Sequence, residues 1–164
     1  MQEDILFENQ FQVTEEKYIQ WGKESAFSGK RLCFVIAYTI FAVLFCFFGF
    51  FSKEAWFSFL FAVLSVYQGY FRWFIIAKRQ YRMLSEQFGS SNWKRRILFR
   101  EDKIQIIDEN MSIEFQYGDI QKIQEKGNQI KLMMKNKKAI RLYEDAFINH
   151  DWEKCKEFCM KKIE

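Results

Sequence analysis

The sequence LCFVIAYTIFAVLFCFFGFFS, residues 32–52, decides the fold of this chain because it contains no charged residue over 21 positions. A helix rises about 1.5 Å per residue, so this run spans about 31 Å, close to the hydrocarbon thickness of a bilayer. A second uncharged run covers residues 55–71, and the apolar character resumes after Arg72. An arginine near a helix end can reach the interface, so we predict two transmembrane helices, 32–52 and 55–77.

Only Ser52, Lys53 and Glu54 lie between Phe51 and Ala55, and so short a connection predicts an antiparallel helical hairpin. The loop has no net charge, whereas bases flank both outer ends of the hairpin. These bases are Lys23, Lys30 and Arg31 on one side and Lys78, Arg79 and Arg82 on the other. The positive-inside rule predicts a multi-pass protein of the plasma membrane with an external loop and both termini in the cytoplasm.

A signal peptide or a soluble helical pair fits the apolar runs less well than a membrane hairpin does. A cleaved signal peptide would start earlier, have a shorter apolar core and end in a small-residue cleavage site. A buried helical pair in a soluble protein would need a covering layer that the remaining residues of this 164-residue chain hardly supply. The membrane hairpin is therefore the favoured interpretation.

The net charge of +4 is unevenly distributed along the chain. Residues 72–103 hold nine bases and three acids, whereas residues 104–164 hold eleven of each. Positive charge beside a membrane helix sets topology and attracts anionic headgroups. A basic stretch also suits nucleic acid, but the neighbouring bilayer already explains its location, so we predict no nucleic-acid partner. The candidate headgroup contacts are Arg79, Arg82, Lys94, Arg95 and Arg96.

The four cysteines and the single histidine form no convincing metal or catalytic motif. Cys33 and Cys46 lie inside the first apolar run, where a thiol acts as a small apolar side chain. Cys155 and Cys159 are four residues apart on a predicted helix near His150, and no second cluster completes a metal site. His150 also lacks a nearby nucleophile. We therefore predict no metal, no cofactor and no enzymatic activity.

After the second apolar run the pattern changes from helical to alternating. Residues 78–87 can continue the helix, and Gly-Ser-Ser-Asn at residues 89–92 ends it. From Trp93 onward, alternating apolar and polar residues separated by turn signals predict about six half-buried antiparallel strands. Apolar residues then recur at helical spacing up to Ile163, which predicts a C-terminal helix. The predicted core residues are Ile113, Phe115, Ile130, Leu132 and Phe158.

The N-terminal segment has a strand pattern of its own. Ile5, Phe7, Phe11 and Val13 alternate with polar residues, and Thr14 then suits the N-cap of a helix. An isolated strand would not persist in water, since even a two-stranded hairpin is marginal. Because both termini are expected on one side of the membrane, we predict that residues 4–13 pair with the later sheet.

Together these elements predict an α+β membrane protein with a two-helix transmembrane hairpin. Its small antiparallel β-domain, closed by the C-terminal helix, has the outline of a pleckstrin-homology-like (PH-like) domain. The expected divisions are an N-terminal strand and amphipathic helix at 1–31, the hairpin at 32–77, a helical extension and linker at 78–92, and the PH-like domain at 93–164.

The order of elements resembles the YcxB-like family of bacterial membrane proteins over nearly the whole chain. The segment FQYGDIQKI at residues 115–123 is similar to the family's aromatic-small-acid-Ile stretch that leads into a strand. IRLYEDAF at residues 140–147 is similar to its closing strand and Ala-Phe step, with Tyr143-Glu144 where the family usually has Pro-Lys. The resemblance implies a PH-like cytoplasmic domain and implies no activity.

The sequence favours a non-enzymatic, membrane-anchored binding or regulatory module. Its cytoplasmic domain would contact anionic lipid headgroups or a segment of a membrane or cytoplasmic protein. The basic residues could equally serve topology and solubility alone. The alternative function is self-protection, because some bacteriocin immunity proteins combine a few spans with a PH-like domain. The pattern does not indicate the oligomeric state.

Overall fold

The computed structural model describes residues 4–51, 55–148 and 152–163. It is an α+β structure with two apolar helices of membrane-spanning length and two antiparallel sheets. The helices are α1 Glu15–Ala26, α2 Gly29–Phe51, α3 Ala55–Val66, α4 Arg72–Phe88 and α5 Trp152–Ile163. The strands are β1 Phe7–Val13, β2 Trp93–Phe99, β3 Lys103–Asp108, β4 Met111–Gln116, β5 Ile120–Lys126, β6 Gln129–Met134 and β7 Ala139–Tyr143.

The described residues form two compact units. The helical unit contains residues 14–51 and 55–91, and the β unit contains residues 4–13, 92–148 and 152–163. The β unit therefore takes its strands from both sides of the apolar hairpin in sequence. The turns of the β unit include single helical turns at Tyr117–Asp119 and Glu144–Ala146.

The outer surface of the helical unit consists largely of exposed apolar side chains. Helix α2 and the continuous helix Ala55–Phe88 are long and apolar enough to cross a membrane. Phe50 and Phe51 are 78% and 76% exposed, and Phe34 is 65% exposed. An apolar surface of this extent marks contact with a membrane or another protein, since soluble monomers rarely expose large contiguous apolar patches.

Small residues bring the two apolar helices close together. Val35, Ala42 and Gly49 are buried on α2 at intervals of seven residues. A Cβ atom added at Gly49 would lie 3.3 Å from the Cβ of Ser58, and one added at Gly69 would lie 3.3 Å from the Cβ of Tyr38. Close backbone approach through small residues is the usual packing mode of transmembrane helices.

A π-helical turn at Tyr67–Phe71 joins α3 to α4 without ending the helix. The hydroxyl of Tyr70 lies 2.9 Å from Thr39 Oγ1, which also donates to the Val35 carbonyl at 2.8 Å. These hydrogen bonds satisfy two hydroxyl groups on largely apolar helices, and an unsatisfied polar group in apolar surroundings is costly.

Helix α1 packs along α4. Thr14 caps α1 as predicted, because its Oγ1 accepts a hydrogen bond from the backbone N–H of Lys17 at 3.4 Å. A Cβ atom added at Gly22 would lie only 2.7 Å from the Cβ of Ala77, so glycine is needed for this helix contact. Helix α4 ends at Gly89, whose φ of +66° is the left-handed conformation that favours glycine at a helix C-terminus.

The β unit consists of a four-stranded sheet in the order β1-β2-β3-β4 and a three-stranded sheet in the order β5-β6-β7. β1 pairs with β2 antiparallel from Phe7 opposite Phe99 to Val13 opposite Trp93. The predicted pairing of the N-terminal strand with the later sheet is thus confirmed for Phe7–Val13, whereas Ile5, predicted on the same apolar face, precedes the strand and is 46% exposed. The apolar residues Phe11 and Val13 are buried, as an apolar face on a paired strand requires.

The predicted core is correct in part. Ile130 and Leu132 are buried, with 1% and 0% exposure. Ile113 is 45% exposed, and Phe115 and Phe158 are half-buried, so their predicted burial is wrong. Ile113 lies opposite the buried Ile106 and thus on the correct face of the sheet. It is exposed because β4 is an outer strand, and no further described strand pairs with its free edge.

Candidate functional site

The five basic residues predicted to contact headgroups fall in both units. Arg79 and Arg82 are exposed on α4 of the helical unit. Lys94, Arg95 and Arg96 are consecutive on β2 of the β unit, and only Lys94 among these three is exposed. The five candidates therefore differ: some are exposed cations, and others form ion pairs within the β unit.

Arg95 forms an ion pair on the inner face of the four-stranded sheet. Its Nε donates to Asp108 Oδ1 at 2.7 Å, and its Nη2 contacts the second carboxylate oxygen. Asp108 is only 7% exposed and lies directly opposite Arg95 in the register of β2 and β3. Removing one partner of a buried ion pair leaves an uncompensated charge, so Arg95 has a structural role.

Arg96 connects β2 to the N-terminal strand. Its Nε donates to Glu8 Oε1 at 2.7 Å, and this hydrogen bond raises the pKa of Arg96. The pair joins residues 88 positions apart in sequence. Arg79, Arg82 and Lys94 are therefore the members of the predicted set whose exposed side chains suit a headgroup contact.

The two sheets are joined by the side chain of Asn9, which is fully buried on β1. Its Nδ2 donates to the carbonyl of Tyr143 at 2.7 Å, and its Oδ1 accepts from the Tyr143 N–H at 3.4 Å. The backbone adds an isolated bridge between Asn9 and Phe147 and a 3.1 Å bond from the Ile148 N–H to the Glu8 carbonyl. Asn9 thus closes the seam between β1 and the end of β7.

Asn9 is absent from the residues predicted from sequence, although the sequence contains a signal for it. It occupies the inward position midway between Phe7 and Phe11, in the same two-residue period. A polar residue at an inward strand position must find hydrogen-bond partners when buried. The alternation therefore indicates a buried amide, but only the fold identifies its partner as the backbone of residue 143.

Cys155 and Cys159 lie on the buried face of α5 with no exposed surface. Burial, together with the neighbouring Cys159, raises the pKa of the Cys155 thiol, which favours the protonated form over the metal-binding thiolate. Among the described residues, no three His, Cys, Asp or Glu side chains come together in a group suited to a metal ion. His150, considered beside these cysteines, lies outside the residues that the structure describes.

Tyr117 anchors the corner between the two sheets, within the segment that carries the family resemblance. Its ring is 3% exposed and meets the Phe158 ring edge-on at 5.4 Å between centroids. Its hydroxyl donates to the Arg100 carbonyl at 2.7 Å. Burial raises the pKa of Tyr117 strongly, so the hydroxyl remains a donor at neutral pH.

A groove lies between the outer strand β5 and helix α5. Its lining residues are Lys122, Ile123, Glu125, Lys156, Met160 and Ile163. Lys156 Nζ lies 2.7 Å from Glu125 Oε1, so an ion pair connects the helix to the strand, and this hydrogen bond raises the pKa of Lys156. The groove was not predicted from the sequence, because its walls are 30 or more residues apart in the chain.

No family model, curated protein or solved structure matches this chain. The function must therefore be inferred from the geometry and charge of the chain itself, and the resemblance to the YcxB-like family stays a prediction.

Proposed function

We propose that the protein is a non-enzymatic, membrane-anchored binding module. The observation that carries this proposal is the outer surface of the helical unit, where large apolar side chains are exposed along two helices of membrane-spanning length. Leaving these side chains in water would forfeit about 1.5–3 kcal/mol for each residue that a bilayer could bury. The bilayer is the environment that covers both helices at once.

The β unit supports the assignment of both termini to one side of the membrane. β1 immediately precedes the helical unit, and four residues lie between the end of α4 and the start of β2. Because β1 pairs with β2 along its whole length, both outer ends of the hairpin lead into one folded sheet. Such a sheet folds on one side of a bilayer, and the flanking bases favour the cytoplasmic side.

The architecture of the β unit supports a PH-like fold. Four and three antiparallel strands form two sheets, and a C-terminal helix follows them. This matches the outline expected from the sequence once β1 supplies the seventh strand. A PH-like unit attached to a membrane hairpin suits the display of a binding surface at the cytoplasmic face, toward lipid headgroups or a partner segment.

The topology is tested by cysteine labelling of a variant whose native cysteines are replaced. In intact cells, a membrane-impermeant maleimide is expected to label Lys53→Cys and to miss Gln2→Cys and Glu164→Cys. These three positions lie outside the residues that the structure describes. All three should react after permeabilisation. Labelling of either terminus in intact cells would refute the proposed hairpin.

The headgroup role is tested with the three exposed cations alone, because replacing Arg95 or Arg96 would break ion pairs of the fold. We expect Arg79→Gln, Arg82→Gln and Lys94→Gln together to reduce the anionic lipid retained by the purified protein several-fold, measured by mass spectrometry. Each neutralised base near the membrane surface loses about 1 kcal/mol of attraction.

The matched control replaces three exposed lysines of the β6–β7 turn, Lys135, Lys137 and Lys138, by glutamine. This control makes the same change in net charge and should leave lipid retention unchanged. Equal lipid retention by wild type and by the Arg79, Arg82 and Lys94 variant would assign these cations to topology and solubility only.

A further inference from the structure

The groove between β5 and α5 combines an open strand edge with an apolar floor. β5 is the outer strand of the three-stranded sheet, so its edge away from β6 has no strand paired to it within the described residues. Such an edge presents a row of backbone donors and acceptors to another chain. Beside it, Met160 is 52% exposed and Ile123 and Ile163 are half-buried, which leaves an accessible apolar strip along the groove.

The charge around the groove differs from that of the surrounding β unit. β5 and α5 together contain six lysines and three glutamates, although residues 104–164 as a whole contain equal numbers of bases and acids. These two elements therefore carry a net charge of +3, although residues 104–164 as a whole are neutral. The lining of the groove itself contains Lys122, Lys156 and Glu125. Glu125 is already bonded to Lys156, and Lys122 is exposed at the groove wall.

We propose that this groove binds an extended segment of a partner protein in which apolar and acidic residues alternate. The segment would pair with β5 as a fourth strand, the mode known as β-augmentation. Its apolar side chains would contact Ile123, Met160 and Ile163, and its carboxylates would face the lining lysines Lys122 and Lys156. Because an extended strand presents alternate side chains to opposite sides, such a pattern can meet the apolar residues and the two lysines together.

A peptide suits this surface better than a membrane does. A strand supplies backbone groups in register with those of β5, whereas lipid headgroups offer no ordered row of hydrogen-bond partners. This inference deepens the proposed binding role and rests on it.

The probe is a displayed library of random twelve-residue peptides, selected on the full-length protein in phosphatidylcholine nanodiscs. We expect the enriched peptides to alternate apolar and acidic residues. Their affinity should fall at least tenfold for Lys122→Glu and for Met160→Glu, both at exposed positions. The control Lys138→Glu, on the exposed β6–β7 turn, should bind as wild type does.

Strand pairing is measured by amide hydrogen exchange and by peptide chemistry. Bound peptide should protect amides of β5, and N-methylation of alternate peptide bonds should abolish binding. The proposal would be overturned if none of the enriched peptides lost affinity for the Lys122→Glu and Met160→Glu variants. So would loss of binding to phosphatidylserine-containing vesicles in the same variants without any effect on peptides, because that outcome assigns the surface to lipid. Peptide affinity and amide exchange are measured independently of the cysteine labelling that tests the membrane topology. A wrong topology and a wrong peptide site would therefore be detected by different experiments.

Discussion

Deletion of residues 4–13 is expected to unfold the β unit while leaving the apolar hairpin helical. The deletion removes the whole of β1, including the buried side chains of Asn9, Phe11 and Val13. Burying one large apolar side chain contributes about 1.5–3 kcal/mol, and a domain is stable by only about 5–15 kcal/mol. Losing two such side chains and all hydrogen bonds between β1 and β2 therefore removes most of this stability.

Limited proteolysis and amide exchange of the full-length protein in detergent measure this effect. In the deleted chain, residues 92–163 should become protease-sensitive, whereas residues 29–51 should stay protected. Two point variants provide a matched pair: Phe11→Asp places a charge on the buried face, and Gln12→Asp places the same charge on the exposed face of the same strand. Wild-type resistance of the deleted chain would mean that residues 92–163 fold without β1.

Asn9→Ala is expected to destabilise the β unit by about 2–4 kcal/mol, because it removes a fully buried amide that bonds both the N–H and the carbonyl of Tyr143. Urea unfolding in detergent, followed by amide exchange in β7, measures the change. The control Asn110→Ala removes the same side chain at an exposed turn position and should cost far less. Equal unfolding midpoints for the two variants would show that the Asn9 amide does not stabilise the seam.

Asn9→Asp distinguishes the contribution of the hydrogen bond from that of side-chain shape, because aspartate has nearly the same shape as asparagine. A carboxylate would face the Tyr143 carbonyl in place of the amide donor, so the folded state favours the protonated acid and raises its pKa above the unfolded value. The variant should therefore come closest to wild-type stability below the ordinary aspartate pKa, about 3.9. Its loss of unfolding free energy relative to wild type should grow as the pH rises through the raised pKa of Asp in the folded state.

The sequence by itself determined the local elements of this protein. An uncharged run of 21 residues has few folded solutions other than a long apolar helix, and the strict alternation around β3, β4 and β6 permits little besides half-buried strands. The N-terminal strand could also be inferred, because its apolar face needs a sheet to cover it. These inferences succeed because periodicity reflects the backbone geometry of each element separately.

Only the tertiary structure decided which inward positions are covered and which polar groups meet. Ile106 and Ile113 lie on the same face, yet only Ile106 is buried, because strand order makes β4 an outer strand. The sequence could not show that Arg95 is held by Asp108, that Asn9 bonds the backbone of residue 143, or that β5 and α5 form a groove. These features join residues far apart in the chain, so they depend on how whole elements pack together. A local pattern of side chains does not determine that packing.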